Sequence, residues 1–128
     1  MAGPSLSNPI LILSARHVAT LTPSFSSQDL QSLMAHAFYA LSHDHDHHVR
    51  ATIPQRTTID MTSHRVFFMP ARLANMGTAI KVVSVPSVSG DNRGLPATIL
   101  VLDENTGATK AVVNAHHLTS LRTAAGMS

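Results

Sequence analysis

At 128 residues, 44 % of them hydrophobic and only 12 % charged, the chain is sized for one domain and too apolar for a disordered one. It is long enough to bury roughly two-thirds of its unfolded surface, and so small a share of charge predicts a face covered by a partner chain or a further domain. A net charge of +2 without any run of Lys or Arg leaves no electrostatic footprint for nucleic acid, and zero cysteines exclude disulfides, thiolate chemistry and zinc–thiolate sites.

From the start, Pro9 to Leu13 is the only apolar run before Ser14. It has no basic leader, is too short for a signal-peptide core and far too short to cross a bilayer, so a cytoplasmic protein with no membrane partner is expected. Ile10 to Leu13 reads as a first strand. Ser14 is placed to cap a short helical turn, Arg16 to Leu21, which Pro23 ends. The clearest helix follows: Ser26 or Ser27 offers the cap, Asp29 suits the first turn, and Leu30, Leu33, Met34, Ala37, Phe38 and Leu41 form one apolar stripe. It should end near Ser42, and His43 to Arg50 reads as a polar loop.

The period then changes. Thr57 to Met61 and Arg65 to Met69 look like two strands joined by a tight turn at Thr62-Ser63-His64, with Pro70 closing the second. Ala71 to Gly77 is a connector, Ala79 to Val85 a strongly β-prone run, and Pro86 to Arg93 a loop by composition. Thr98 to Leu102 and Thr109 to Val113 make the last two strands, around a hairpin turn at Asp103 to Gly107 with the glycine at the positive-φ position. Asn114 caps a helix beginning near Ala115. About six strands and two main helices, with hairpins dominating, predict an α+β fold with a mixed, mostly antiparallel sheet.

Several groups of residues carry potential chemistry. His43-Asp44-His45-Asp46-His47-His48 has metal-ligating types, but neighbours in one loop make a floppy chelate, so a solvated loop and no metal site is the expectation. His116-His117 reads as surface decoration. Gly90-Asp91-Asn92-Arg93-Gly94 matches no phosphate-loop pattern and reads as a flexible turn. Three cations stand on separate elements: Arg56 opens a strand, Lys81 is the one charge in an apolar strand, and Arg122 lies among Thr and Ala on the last helix. Spacing alone favours a solvent-facing Lys81. Arg forks and an ammonium also suit a shared carboxylate or phosphate, and composition does not choose between these.

From Arg56 onward the order of landmarks resembles the ornithine cyclodeaminase/mu-crystallin family: Pro54-x-Arg56, Phe68-Met69-Pro70-Ala71, Gly77-x-x-x-Lys81-Val82-Val83, Gly94-Leu95-Pro96, Asn105-Thr106-Gly107 and Leu118-Thr119-Ser120-Leu121-Arg122-Thr123-Ala124-Ala125. The motifs cover residues 54 to 128, and residues 10 to 42 agree in pattern. The resemblance implies a homodimer whose N-terminal region binds a small amino or imino acid, followed by a Rossmann domain for NAD or NADP. It implies oxidation or reduction at a carbon–nitrogen bond, as in ornithine cyclodeaminases, ketimine reductases and amino-acid dehydrogenases. By motif match, Arg56 and Lys81 hold the substrate carboxylate, and Arg122 lies where substrate and nicotinamide meet. A nucleotide-contacting hydroxyl residue of the family falls near Gly94, a departure. The acidic residue of the deaminating members belongs to the later domain and has no counterpart.

No G-x-G-x-x-G segment occurs in the sequence, so residues 1–128 are expected to form a single, partial substrate-binding and dimerisation domain without a Rossmann domain. Two readings follow. The chain is a fragment of an NAD(P)-dependent oxidoreductase, inactive and binding no cofactor by itself, with no catalytic residue of its own. Alternatively it is a catalytically dead dimerisation or small-carboxylate-binding module.

Overall fold

Local chemistry sets the first elements of the computed structural model, which describes residues 9–42, 51–74 and 76–118. A short strand, β1 (Leu11–Leu13), leads into helix α1 (Ala15–Leu21). Ser14 caps that helix reciprocally: its Oγ accepts from the His17 N–H at 3.3 Å, and its own N–H donates to His17 Nδ1 at 3.2 Å. A 3-10 turn over Thr22–Ser24 carries Pro23 and ends the helical run. Helix α2 (Ser27–Ser42) then starts on Ser26, whose Oγ accepts from the Asp29 N–H at 3.0 Å while Asp29 Oδ2 accepts from the Ser26 N–H at 3.4 Å. Of the two candidate serines, Ser26 is therefore the cap.

Six further strands complete one sheet: β2 (Ala51–Thr52), β3 (Thr57–Asp60), β4 (His64–Leu73), β5 (Gly77–Pro86), β6 (Ala97–Leu102) and β7 (Thr109–Asn114). The order is β1-β7-β6-β5-β4-β2, with β3 also paired to β4. Only the β1–β7 pairing is parallel. The fold is α+β with a mixed, mostly antiparallel sheet, of seven strands rather than about six. The additional strand is β2, two residues long and invisible to any periodicity.

Two boundaries differ from the sequence reading. Pro70 does not close β4, which continues to Leu73, and the connector to β5 shrinks to residues 74–76. The reason is positional. On one side β4 pairs with β5 along its whole length, Pro70 opposite Ile80. On the other side the β3 pairs stop at Phe68 and the β2 pairs resume at Arg72, so Met69, Pro70 and Ala71 have no partner there. A residue without an N–H is tolerated in a strand where one side of the ladder is open.

The core is small. Val83, Ala97 and Ala115 are buried, with Phe67, Met69 and Ile99 packed against them. These residues share one face: Val83 stands opposite Phe67 and Ala97, and Lys81 opposite Met69 and Ile99. Helix α1 lies against β1 and β7. Among the described residues no large side chain is fully buried, while Leu11, Ile12, Leu33 and Ile59 are exposed. No helix of the described residues is long and apolar enough to cross a membrane.

One polar knot ties the far end of the sheet together. The β6–β7 turn closes through Asp103, whose Oδ1 accepts from the N–H groups of Asn105 and Thr106 at 2.9 Å each, and Gly107 completes it at φ 73°. Next to it, Glu104 accepts from Thr78 Oγ1 at 2.6 Å and from Arg72 Nε at 2.9 Å, bridging β4 and β5 to the turn. The Thr78 hydroxyl, with the Arg72 guanidinium, holds the Glu104 carboxyl below its ordinary 4.5. A carboxyl lowered in this way adds stability above its ordinary pKa and loses it as pH falls through the folded value. Urea unfolding of the wild type and Glu104→Gln at about pH 7 and about pH 3 is expected to show the variant weaker at the higher pH, with the gap shrinking at the lower one. A gap that stays constant would mean that the carboxylate charge contributes nothing.

Candidate functional site

The open side of β4 also borders the candidate site. Between the pair Thr52–Arg72 and the pair Thr57–Phe68, four residues, Ile53 to Arg56, face three, Met69 to Ala71. The extra residue on this side and the missing N–H groups of Pro54 and Pro70 leave the stretch unpaired. The result is a cleft of about 550 Å³ lined by Ile53, Pro54, Gln55, Arg56, Met69 and Pro70. Arg56 is exposed, one residue before the Thr57–Phe68 pair and therefore beside Met69.

Lys81 is not among the six residues lining the cleft, but its place in the register is next to it: on β5, directly opposite Met69. It is half-buried, on the face that carries Phe67, Val83 and Ile99. Half-burial stands against the fully solvent-facing position that spacing favours. Lys81 shares its face with buried Val83, two residues on, and differs from Ile80 and Val82. Arg56 and Lys81 thus flank Met69 from the strands on either side, two strand spacings or roughly 10 Å apart at the backbone. Long cationic side chains at that separation suit a single carboxylate placed above Met69.

The other candidates fare differently. Arg122 and the cluster His43 to His48 lie outside the described residues. Among the described residues, no three His, Asp or Glu side chains come together as a metal site. The Gly90 to Gly94 turn closes on itself: Arg93 grips Asp91 through Nε at 3.0 Å and Nη2 at 2.7 Å and donates its backbone N–H at 3.1 Å. These bonds hold the Asp91 carboxyl well below the usual carboxylate range. Its polar groups are spent within the turn.

Gly94 has φ 93°, and the imidazole of His116 occupies the volume a side chain would need: a Cβ built there would stand 2.4 Å from the ring. His116 Nδ1 is 3.0 Å from the Leu95 carbonyl oxygen, and Asn114 Oδ1 accepts from the His116 N–H at 3.3 Å. Although exposed, His116 therefore pins the β5–β6 loop to the segment after β7. Sequence reasoning read it as surface decoration, and the one signal of more was the capping Asn114 two residues earlier. The described residues contain no glycine-rich strand-to-helix turn, and Gly94, the one candidate contact among them, lies under an imidazole.

The family model described as ornithine cyclodeaminase/mu-crystallin matches residues 12–128. The chain belongs to this family. Curated protein sequences offer no match. Among solved structures the chain is similar to an archaeal alanine dehydrogenase dimer with bound NAD, at 28 % identity and TM-score 0.71 over 91 % of this chain and 34 % of that one. It is similar to the Δ1-pyrroline-2-carboxylate reductase of Thermococcus litoralis in complex with NADH and L-proline, at 27 % identity and TM-score 0.76 over 92 % and 36 %. The iminosuccinate reductase of Paracoccus denitrificans in complex with NAD+ shares the fold, at 17 % identity and TM-score 0.75 over 92 % and 36 %. The chain spans about a third of the length of these structures.

Within this family member, the Gly94–His116 contact has a separable cost. Gly94→Ala is expected to lower unfolding stability by about 1–3 kcal/mol, part from positive φ and part from displacing the imidazole. In a His116→Ala background, which has already lost the Leu95 hydrogen bond, Gly94→Ala should cost only the first part. Thermal unfolding of both variants measures it, and a harmless Gly94→Ala would show that the ring swings aside freely.

Proposed function

We propose that this chain is the substrate-side portion of an oxidoreductase acting at the C–N bond of an amino or cyclic imino acid. Arg56 and Lys81 hold the substrate carboxylate beside the Met69 position. The observation that carries the reading is the cleft itself, with Arg56 in its lining and Lys81 one strand across from Met69. Family membership and the likeness to an alanine dehydrogenase and a pyrroline-2-carboxylate reductase support it.

NAD or NADP would supply the hydride chemistry, and the proposal assigns its binding to a Rossmann domain working with residues 1–128 as the substrate-binding and dimerisation domain. What this chain contributes is orientation. A carboxylate fixed at one end leaves the adjacent carbon in a constant position, and such positioning is a large part of catalysis between two bound reactants. Arg122, on the same reading, borders substrate and nicotinamide, and Gly94 is left with its backbone alone to offer. A homodimer is proposed for the assembly, in keeping with the exposed Leu33 of α2 and Ile59 of β3. A cytoplasmic setting suits a chain without cysteine.

A binding assay tests the carboxylate clamp directly. Pyrrole-2-carboxylate, a planar cyclic acid, is expected to perturb the amide signals of residues 53–56 and 69–70 in a nuclear magnetic resonance titration. Arg56→Ala and Lys81→Ala should each weaken its binding at least about tenfold, the loss of one charge-assisted hydrogen-bonding partner. Affinity unchanged in both variants would overturn the clamp. Unchanged affinity in Lys81→Ala alone would confine the carboxylate to Arg56.

A further inference from the structure

We infer that the backbone carbonyl of Pro70 is a second attachment point in this cleft, an acceptor that receives an N–H of the bound acid. The inference rests on the carboxylate clamp proposed above and adds the group that fixes the nitrogen end. In an antiparallel sheet, successive residues of a strand turn their N–H and C=O groups to opposite neighbours. Met61 donates its N–H to the His64 carbonyl at 2.8 Å, so His64 turns toward β3. By the same alternation Val66, Phe68, Pro70 and Arg72 of β4 turn that way too. The next strand agrees. Ser84 donates its N–H to the Pro96 carbonyl at 3.0 Å, on the β6 side, so Lys81, of the opposite parity, turns toward its partner Met69. Pro70, next to Met69, therefore turns away from β5. On that side Phe68 meets Thr57 and Arg72 meets Thr52, while Pro70, midway between them, stands in the gap and lines the cleft.

Proline makes that position an acceptor and nothing else. Any other residue would turn an N–H into the cleft beside its carbonyl, and Pro70 has only the oxygen to offer. Among the described residues no N–H pairs with that oxygen. Met69 is flanked by Arg56 and Lys81, so a carboxylate held by those cations lies next to the oxygen. An N–H on the atom bonded to the carboxylate-bearing carbon satisfies the carbonyl. A lone pair at the same place faces it without compensation. The nitrogen's protonation state is selected as well. An ammonium or a protonated imine carries the required hydrogen and a bare imine nitrogen does not, so position 70 favours the proton-carrying form.

Two acids that differ at one ring atom decide the matter with the 128-residue chain. Pyrrole-2-carboxylate has an N–H beside the carboxylate-bearing carbon, and furan-2-carboxylate has an oxygen there. Nuclear magnetic resonance titrations are expected to show the pyrrole acid bound roughly tenfold more tightly, the effect of one hydrogen bond. The carbonyl-carbon signal of Pro70 should move with the pyrrole acid and stay in place with the furan acid. Pro70→Ala, which adds an N–H on the same side, should bring the preference below about threefold. Gln55→Ala, which removes a side-chain acceptor from the lining, should leave it unchanged. Arg56→Ala should weaken both acids alike. Equal wild-type affinities overturn the inference without recourse to any variant. A preference lost in Gln55→Ala and kept in Pro70→Ala gives the role to the side-chain amide and overturns it too. Indifference of both acids to Arg56→Ala, or binding of neither, overturns the clamp itself, a result distinguishable from a lost preference at an intact carboxylate site.

Discussion

The open side of β4 at Met69–Ala71 is the constraint on which the rest depends. A ten-pair ladder with β5 fixes β4 as a long, central strand, so anything missing on its other side is a gap in a rigid wall. Prolines at positions 54 and 70 withhold donors on the two sides, and four residues opposite three shift the register by one. A buried polar group left unpaired costs about 1–3 kcal/mol, so a proline within a fully paired stretch would destabilise the sheet. Placed at the gap, the same residue is accommodated, and the segment Ile53 to Arg56 stands away from the sheet and walls the cleft. One covalent peculiarity of one residue thus decides where the molecule has a concavity and which cation faces it.

Lys81 makes sense only against that geometry. An ammonium half-buried on the face of Val83, Phe67 and Ile99 costs desolvation that an outward position would avoid. On the proposed clamp, an anion between Lys81 and Arg56 is held more strongly than on an open surface because the surroundings are poorly hydrated. On the proposed clamp, a bound carboxylate stabilises this part of the sheet by mass action.

Much of this was written locally and could be read locally. Ser14 and Ser26 cap the helices they precede, Gly107 takes the positive φ its turn requires, and the β-branched run through Val83 becomes the central strand. What was not legible depended on partners distant in sequence. Strand β2 exists because Arg72 and Leu73 are there to pair with it, a fact absent from Ala51 and Thr52 themselves. Pro70 reads as a stop until the register shows an unpaired side. The face on which Lys81 lies follows from its parity with Val83, and alternation alone does not say which parity is covered. His116 takes its meaning from Gly94, twenty-two positions earlier, through a contact no spacing announces.

The same geometry bears on how the labour of a reaction would be divided. Among its described lining residues the cleft has one permanent cation, one amide and four apolar side chains, and no imidazole, carboxylate or hydroxyl to exchange a proton with a ligand. Such a set can bind, orient and discriminate, and those are the tasks that fixed strands perform well because their side-chain directions are dictated by the pleat. Bond-changing chemistry asks for different groups, brought to the far side of the ligand. A chain that spans about a third of the structures it resembles, and that leaves Leu33, Ile59 and β1 uncovered, has surface on which such groups could be docked without altering the clamp. The separation has a physical advantage. The carboxylate site is fixed by backbone register and does not have to be rebuilt when the other half of the reaction arrives. On the proposed clamp, changes of reaction chemistry can then accumulate elsewhere while Arg56 and Lys81 keep holding the same end of the molecule.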